Sequence, residues 1–409
     1  MLPIHEFYRI ILGLIPPWFV TTVEILPEIE EVLVHLEHSL GNFPCPECQY
    51  PSPVYDHLSS RKWRHLDTCQ LKTYLVACVP RVNCPTHGIH AIAVKWTSPH
   101  SRFTLLFERF ALDVLLATKV QVKAARLLRL SPGQIHDIMI RGVNRGLSRR
   151  NPEESRPHLS IDEKSFKKGH MYVTVLSDPS EKSVIDIAES RTLEATTKLI
   201  KESLTPKQQA SAKSISMDMW VAFQNAARSI LPQADIVHDR FHVAKYLNDA
   251  LDNTRRAEQR SLLKEGNNVL SRSKFMWMKS PENLTEKQLL AFEQLVNLDL
   301  ETAKVYAFKE SFRAFFSQSN VAEAKSFFED WFNAAIALQN RHLDKVANML
   351  KNHLEGLLAY IKHKVSNGHA EGINGQIQLL KANARGYRKF QNFRIAVLFF
   401  LGKLEVYPY

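Results

Sequence analysis

HLSIDEKSFKKGHMYVTVLSD, residues 158–178, reads as two strands that pair through a short turn, with Asp162 inside the first and Tyr172 to Ser177 as the second. Outward from it, further strands are expected over 183–189, 213–218 and 235–238, and helices over 193–203 and 220–230. SISMDMW, residues 214–220, ends the strand-like run Ile215 to Met217 on Asp218. HAEGINGQIQLLK, residues 369–381, opens a helix with Glu371 and carries only basic charge beyond it. Hard divalent cations prefer carboxylate oxygen. A two-metal phosphoryl-transfer site clamps the attacking and leaving oxygens, so three convergent acids are near its minimum. Glu163 would point to the other face of a regular strand, and Asp178 belongs to the turn after the second strand. Asp239 in HDRFH follows a strand beside the three acids. With Arg240 and His242 it is an auxiliary candidate for contacting a phosphate or orienting the site.

The 409 residues call for two or more domains, and a 45% hydrophobic content is ample for real cores. A formal charge of +11 favours a polyanionic partner. The charge is local: residues 101–150 hold ten Lys/Arg against three Asp/Glu, and residues 372–403 hold six Lys/Arg and no acid. The longest early apolar run, Ile10 to Val20, is broken by Pro16 and Pro17 and is too short to span a bilayer. A soluble, cytoplasmic, bacterial protein with no membrane partner is expected.

Five cysteines fit a reduced compartment with a metal site better than a disulfide framework. Cys45-Pro-Glu-Cys48 and Cys84-Pro-Thr-His87 share the spacing of tetrahedral zinc knuckles, with Arg61 to Asn83 expected to form the hairpin between them. His90 is a rival to His87; Cys69 and Cys78 read as small core or surface residues. Four closed ligands leave no open catalytic position, so the zinc would be structural. Val120 to Leu128 reads as a short helix, and Ser131-Pro132-Gly133 caps a second one. Gln134, His136, Arg141, Asn144 and Arg145 would line the outer faces of that second helix, which could lie in a major groove as in a helix-turn-helix.

Asp162 to Asp218 spans 56 positions, enough for two strands and a crossover helix. Asp218 to Glu371 spans 153, too many for one connection in a compact domain, so a helical insertion is postulated. Beyond Glu371, helical spacing puts Asn374, Gln378 and Lys381 or Ala382 on roughly one stripe. Lys381, Arg385, Arg388, Lys389 and Arg394 would neutralise DNA phosphates. The interleaved Tyr387, Phe390 and Phe393 either stack on a displaced base or pack this segment on the sheet.

The first quoted stretch, VHDRFHVAKYLND (residues 237–249) and the segment from Ser366 to Arg394 resemble insertion-sequence transposases of the DDE superfamily, ISL-three-type group. The resemblance runs over nearly the whole chain, including both cysteine knuckles. It implies a multidomain α+β chain. Residues 1–98 would form a strand-rich zinc-ribbon-like domain and 99–150 a helix-turn-helix domain. Residues 151–241 and 367–409 would form an RNase H-like catalytic domain, interrupted by an α-helical insertion over 242–366. Asp162, Asp218 and Glu371 fall on the catalytic acids, with Mg²⁺ or Mn²⁺ as cofactor beside structural Zn²⁺. Double-stranded DNA, both the element's terminal inverted repeats and target DNA, would be the partner of a nucleoid-associated homo-oligomer. The competing readings are a DNA-binding regulator with an inactive catalytic domain and an RNase H-like nuclease.

Overall fold

The computed structural model describes residues 2–167, 171–279, 281–364 and 368–409. The chain divides into two compact units, one of Met1–Arg149 with Leu404–Tyr409 and one of Arg150–Lys403.

The first unit opens with helix α1 (Ile4–Ile11) and then builds two four-stranded sheets. Strands β1 (Trp18–Leu26) and β2 (Glu31–His38) form an antiparallel pair. Strands β3 (Asn42–Pro44), β4 (Pro51–His57), β5 (Arg61–Arg64), β6 (Lys72–Ala77), β7 (Pro80–Cys84) and β8 (Gly88–Ala91) follow. One sheet has the order β1-β2-β6-β5 and the other β3-β4-β7-β8. Arg61 to Asn83 is therefore not one ribbon hairpin. Its larger part, β5 and the whole of β6, joins the β1–β2 sheet, where Trp63 and Leu75 bury with Val32 and Val34. Only β7 returns to the cysteine-bearing sheet. Three helices complete the unit: α2 (Leu105–Thr118), α3 (Gln121–Leu128) and α4 (Pro132–Ser148). Arg129 in the left-handed conformation ends α3, and Ser131 and Gln134 form a reciprocal capping box that starts α4 with Pro132 in its first turn. The chain end returns to this helix. A Cβ at Gly146 would sit 2.5 Å from Leu404 Cβ, so only glycine permits that approach.

The second unit is built on a five-stranded sheet. Its strands are β9 (His158–Lys167), β10 (Met171–Asp178), β11 (Ser183–Glu189), β12 (Ser214–Met217) and β13 (Asp235–His238), in the order β11-β10-β9-β12-β13. The first three pair antiparallel, while β12 runs parallel to both β9 and β13. Parallel neighbours need crossovers. These are α5 (Leu193–Ser203) with α6 (Pro206–Ser211), and α7 (Val221–Ile230). Every expected strand and helix of this stretch is present; α6 is an additional one.

From Asp239 onward the unit is helical: α8 (Arg240–Lys264), α9 (Lys274–Met278), α10 (Glu286–Val296), α11 (Glu301–Ser311), α12 (Val321–Ala337), α13 (Arg341–Asn352) and α14 (Leu354–His363). Trp277, Phe292, Phe312, Phe315, Phe328 and Trp331 anchor its own core. The expected junction at 366/367 lies outside the described residues. Helices α15 (Gly368–Asn383) and α16 (Phe390–Leu401) then pack on the sheet through Ile373, Ile377, Phe393 and Val397.

Candidate functional site

Parallel pairing lines up the acids. Ser216 pairs with Ser160 on β9, and Met217 with His238 on β13. Continuing that register by one or two residues brings Asp162, Asp218 and Asp239 onto three adjacent strand lines, where neighbouring strands are about 5 Å apart. His242, on the first turn of α8, lies 3.4 Å from an Asp218 oxygen and 4.0 Å from an Asp239 oxygen. Asp239 is 4% exposed and caps α8 by accepting from Phe241 N at 3.1 Å. It is a structural cap as well as a neighbour of the site. Arg240 lies over its own neighbour, Phe241.

Each aspartate is held by donors. Asp162 Oδ1 accepts from Glu163 N at 2.7 Å, and its Oδ2 accepts from the Asn374 amide on α15. Asp218 Oδ1 accepts from Met219 N at 2.6 Å and from the Tyr246 hydroxyl at 3.3 Å. Burial raises the Asp162 pKa; the Glu163 N–H, the Asn374 amide and nearby cationic charge offset this only in part. Burial, then the Asp218 charge, pushes the Tyr246 hydroxyl up to about 12, which keeps it a donor. Asn374 Oδ1 is buried with no hydrogen-bond partner among the described residues, an acceptor beside Asp162 that a cation's water could satisfy. Glu371 sits one helical turn before Asn374 on the same stripe, and its side chain is exposed. Glu163 turns away, pairing with Arg191 at 2.7 Å. Asp178 is tied to Arg156 at 2.8 Å and to the turn amides of Ser180 and Glu181.

The second cluster lies in the first unit. Cys45, Cys48, Cys84 and His87 present one ligand atom each, all within 4.8 Å of one another. Cys48 and Cys84 sulfurs are 3.6 Å apart, and His87 Nδ1 is 3.8 Å from Cys45 Sγ and 3.7 Å from Cys84 Sγ. A tetrahedral zinc with arms of about 2.0–2.3 Å requires edges of about this length, so the donor set fits the ion. Burial pushes the Cys84 thiol up, but the His87 and Thr86 backbone N–H groups, His87 and Cys48 outweigh it and bring it down to about 6. His90 is turned away and bonds the His87 carbonyl at 2.8 Å, leaving His87 as the ligand. Among the described residues no other three His, Cys, Asp or Glu donors come this close, so Asp162, Asp218 and Glu371 are not gathered to that distance.

A transposase family model of the ISL3 DDE type matches residues 159–397, more than half of the chain and all three acids. The chain belongs to that transposase family. The zinc-finger model of the IS204/IS1001/IS1096/IS1165 transposases matches residues 42–87, which contain the four zinc donors. The transposase for insertion sequence element IS1001 of Bordetella parapertussis is 29% identical over 369 residues, covering 89% of this chain and 90% of its own length. The transposase for element IS1557 of Mycobacterium tuberculosis is 27% identical over 373 residues, covering 85% and 83%. Among the described residues no helix is long and apolar enough to cross a membrane.

For a family member, the basic side chains matter next, and α4 differs from expectation. Arg141 and Arg145 do not line an outer face. Both point at Glu108 of α2, which is fully buried, with contacts of 2.6 and 3.2 Å. A buried carboxylate is tolerated only when paired, and these two guanidiniums do that. Replacing Glu108 with Gln should strand both cations and cost about 3–5 kcal/mol of stability, read as a lower urea midpoint; an unchanged midpoint would refute the assignment. Gln134 spends its amide oxygen on the capping box. His136 is half-buried and Asn144 is exposed.

On α15 and beyond, Lys381 bonds the Ser165 carbonyl of β9. Arg385, Arg388 and Lys389 are exposed, and no carboxylate pairs with them among the described residues, whereas Arg394 is not free for phosphate because it forks onto Asp186 at 2.6 and 2.7 Å. Phe393 stacks on Phe166 at 5.2 Å and Tyr387 packs against Phe393. These aromatics belong to the core beneath the sheet, so packing rather than base stacking is their use. Asn374 and Tyr246 were not singled out as site residues by sequence. The only signal was helical spacing, from Glu371 to Asn374 and from Asp239 through His242 to Tyr246.

Proposed function

We propose that this family member is an insertion-sequence transposase that cuts and rejoins DNA at Asp162, Asp218 and Glu371 on an RNase H-like domain. The observation that carries the proposal is the register of β9, β12 and β13, which aligns Asp162 with Asp218. The sheet supports the fold assignment: three antiparallel strands are continued by two parallel ones with helical crossovers. The proposed domains are those expected from sequence, with the helix-turn-helix at α3–α4 and the helical insertion from α8 to α14.

All three acids offer hard oxygen donors, and the orphaned Asn374 oxygen adds a polar contact for a hydrated cation, so the set fits Mg²⁺ or Mn²⁺. Bound there, the ions would lower the pKa of the attacking water or 3′-hydroxyl and stabilise the departing oxygen. The chain's own residues prepare that site. Asn374 and the Glu163 amide orient Asp162; Tyr246 and the Met219 amide orient Asp218. His242 places its imidazole against two neighbouring carboxylates, those of Asp218 and Asp239. Zinc, held by Cys45, Cys48, Cys84 and His87, shapes the N-terminal unit. The DNA partners are the element's terminal inverted repeats and a target duplex, engaged by a homo-oligomer because two ends must be joined together.

A labelled duplex carrying the DNA that borders the gene tests this. Mg²⁺-dependent cleavage at the repeat boundary followed by joined products is expected. Cleavage without joining would leave a nuclease, and tight binding without cleavage a regulator.

A further inference from the structure

Within the first unit, edge strand β5, the segment before α2 and the α3–α4 turn enclose an open cleft of about 760 Å³. Its lining carries Arg61, Lys62 and Arg64 of β5 with Arg102 and Arg129, and no Asp or Glu. Two of these cations are compensated from outside the lining. Arg64 and Arg129 share Asp67, and Arg129 also lies 3.6 Å from Glu30. The other three are not. Arg61 donates to the Ser101 carbonyl at 2.7 Å and lies over Trp63; Lys62 lies 5.9 Å from the Tyr74 ring. Neither they nor Arg102 meets a carboxylate within 4.0 Å among the described residues. Behind them, Arg64 is 4% exposed and its second terminal nitrogen is buried without a hydrogen bond. A concave wall with unneutralised cations over a low-dielectric floor focuses potential onto an anion.

We propose that this cleft seats the phosphate backbone of the duplex held by the N-terminal unit, with Arg61, Lys62 and Arg102 on the phosphates. The inference rests on the reading that the chain acts on DNA, and it relocates the contact surface. The basic window over 101–150 spends Arg141 and Arg145 on Glu108, whereas the cleft draws three of its five cations, Arg61, Lys62 and Arg64, from β5, outside that window. A duplex backbone fits better than a small anion because the cleft is open and its uncompensated cations come from two separate segments, β5 and the stretch before α2. Gln134 in the first turn of α4 forms part of the same lining, so phosphates seated here bring the start of that helix to the duplex.

The test is fluorescence anisotropy of the full chain on a labelled duplex of arbitrary sequence, between about 50 and 200 mM salt. The triple variant Arg61→Gln/Lys62→Gln/Arg102→Gln should flatten the plot of log affinity against log salt by about 2–3 units and weaken binding about tenfold or more. Lys198→Gln/Lys201→Gln/Lys345→Gln removes equal charge from exposed positions elsewhere and should leave the slope unchanged. The double variant Lys62→Gln/Arg102→Gln, which spares the Arg61 hydrogen bond, should flatten it by about 2 units. A wild-type slope in the cleft variants, or an equal loss in the control, overturns the cleft while the DNA reading stands. No duplex binding by the wild type overturns both.

Discussion

Asp162→Asn and Asp218→Asn should each lower Mg²⁺-dependent strand cleavage by about 10³-fold, and Glu371→Gln by a similar factor, with duplex affinity retained. A metal-held charge at a phosphoryl-transfer centre supplies several kcal/mol, and about 4 kcal/mol is about 10³-fold in rate. The amide keeps the shape of each side chain but gives up the anionic oxygen a cation needs. Stability separates this from simple misfolding. Burial holds the Asp162 carboxyl above its ordinary pKa, so the folded state binds that proton more tightly than the unfolded chain does. Its ionised form therefore opposes folding at neutral pH, and this opposition is relieved as pH falls through the raised pKa. Asp162→Asn removes that charge and should melt no lower than wild type at neutral pH. Full cleavage by either aspartate variant would sink the assignment, whereas a variant that lost activity only by unfolding would betray itself in the melt.

Glu371 is the sharpest part of that prediction. It is exposed, and the helix stripe it shares reaches Asp162 through Asn374, not through Glu371 itself. Its proposed role would require a cation that Glu371 and the two aspartates hold together.

How far the sequence could be read follows from the range of the interactions involved. The strands around Asp162 and Asp218 were legible because a buried sheet demands apolar runs of fixed period. The zinc ligands were legible because a knuckle closes within four residues, and the fold selects His87 over His90 by turning one ring away. Arg141 and Arg145 misled because their partner, Glu108, is more than thirty residues away and looks like any solvated acid until α2 and α4 pack. The same blindness hid the exchange of β5 and β6 into the other sheet, and with it the cationic edge that β5 presents. Asn374 meets Asp162 across 212 positions, a pairing no local spacing encodes.

Zinc removal should unfold the N-terminal unit. Structural zinc in small modules contributes about 10–16 kcal/mol, which matches or exceeds the whole stability of a typical domain, about 5–15 kcal/mol. The ligand-bearing sheet is small, with three residues in β3 and four in β8, and Cys45 and Cys84 are almost wholly buried. Phe43 and Val82 of that sheet share a core with Val34, Trp63 and Leu75 of the other, so the loss spreads through both. The purified chain should carry a single zinc ion. A strong chelator, or Cys84→Ser, should abolish the melting transition of this unit and leave that of Arg150–Lys403 in place. Cys69→Ser and Cys78→Ser should do neither, because both thiols are exposed and outside the cluster. Duplex binding should fall with the lost transition, since the edge strand β5 is ordered by the same core. A zinc-free protein that melts identically with and without chelator would refute the metal site.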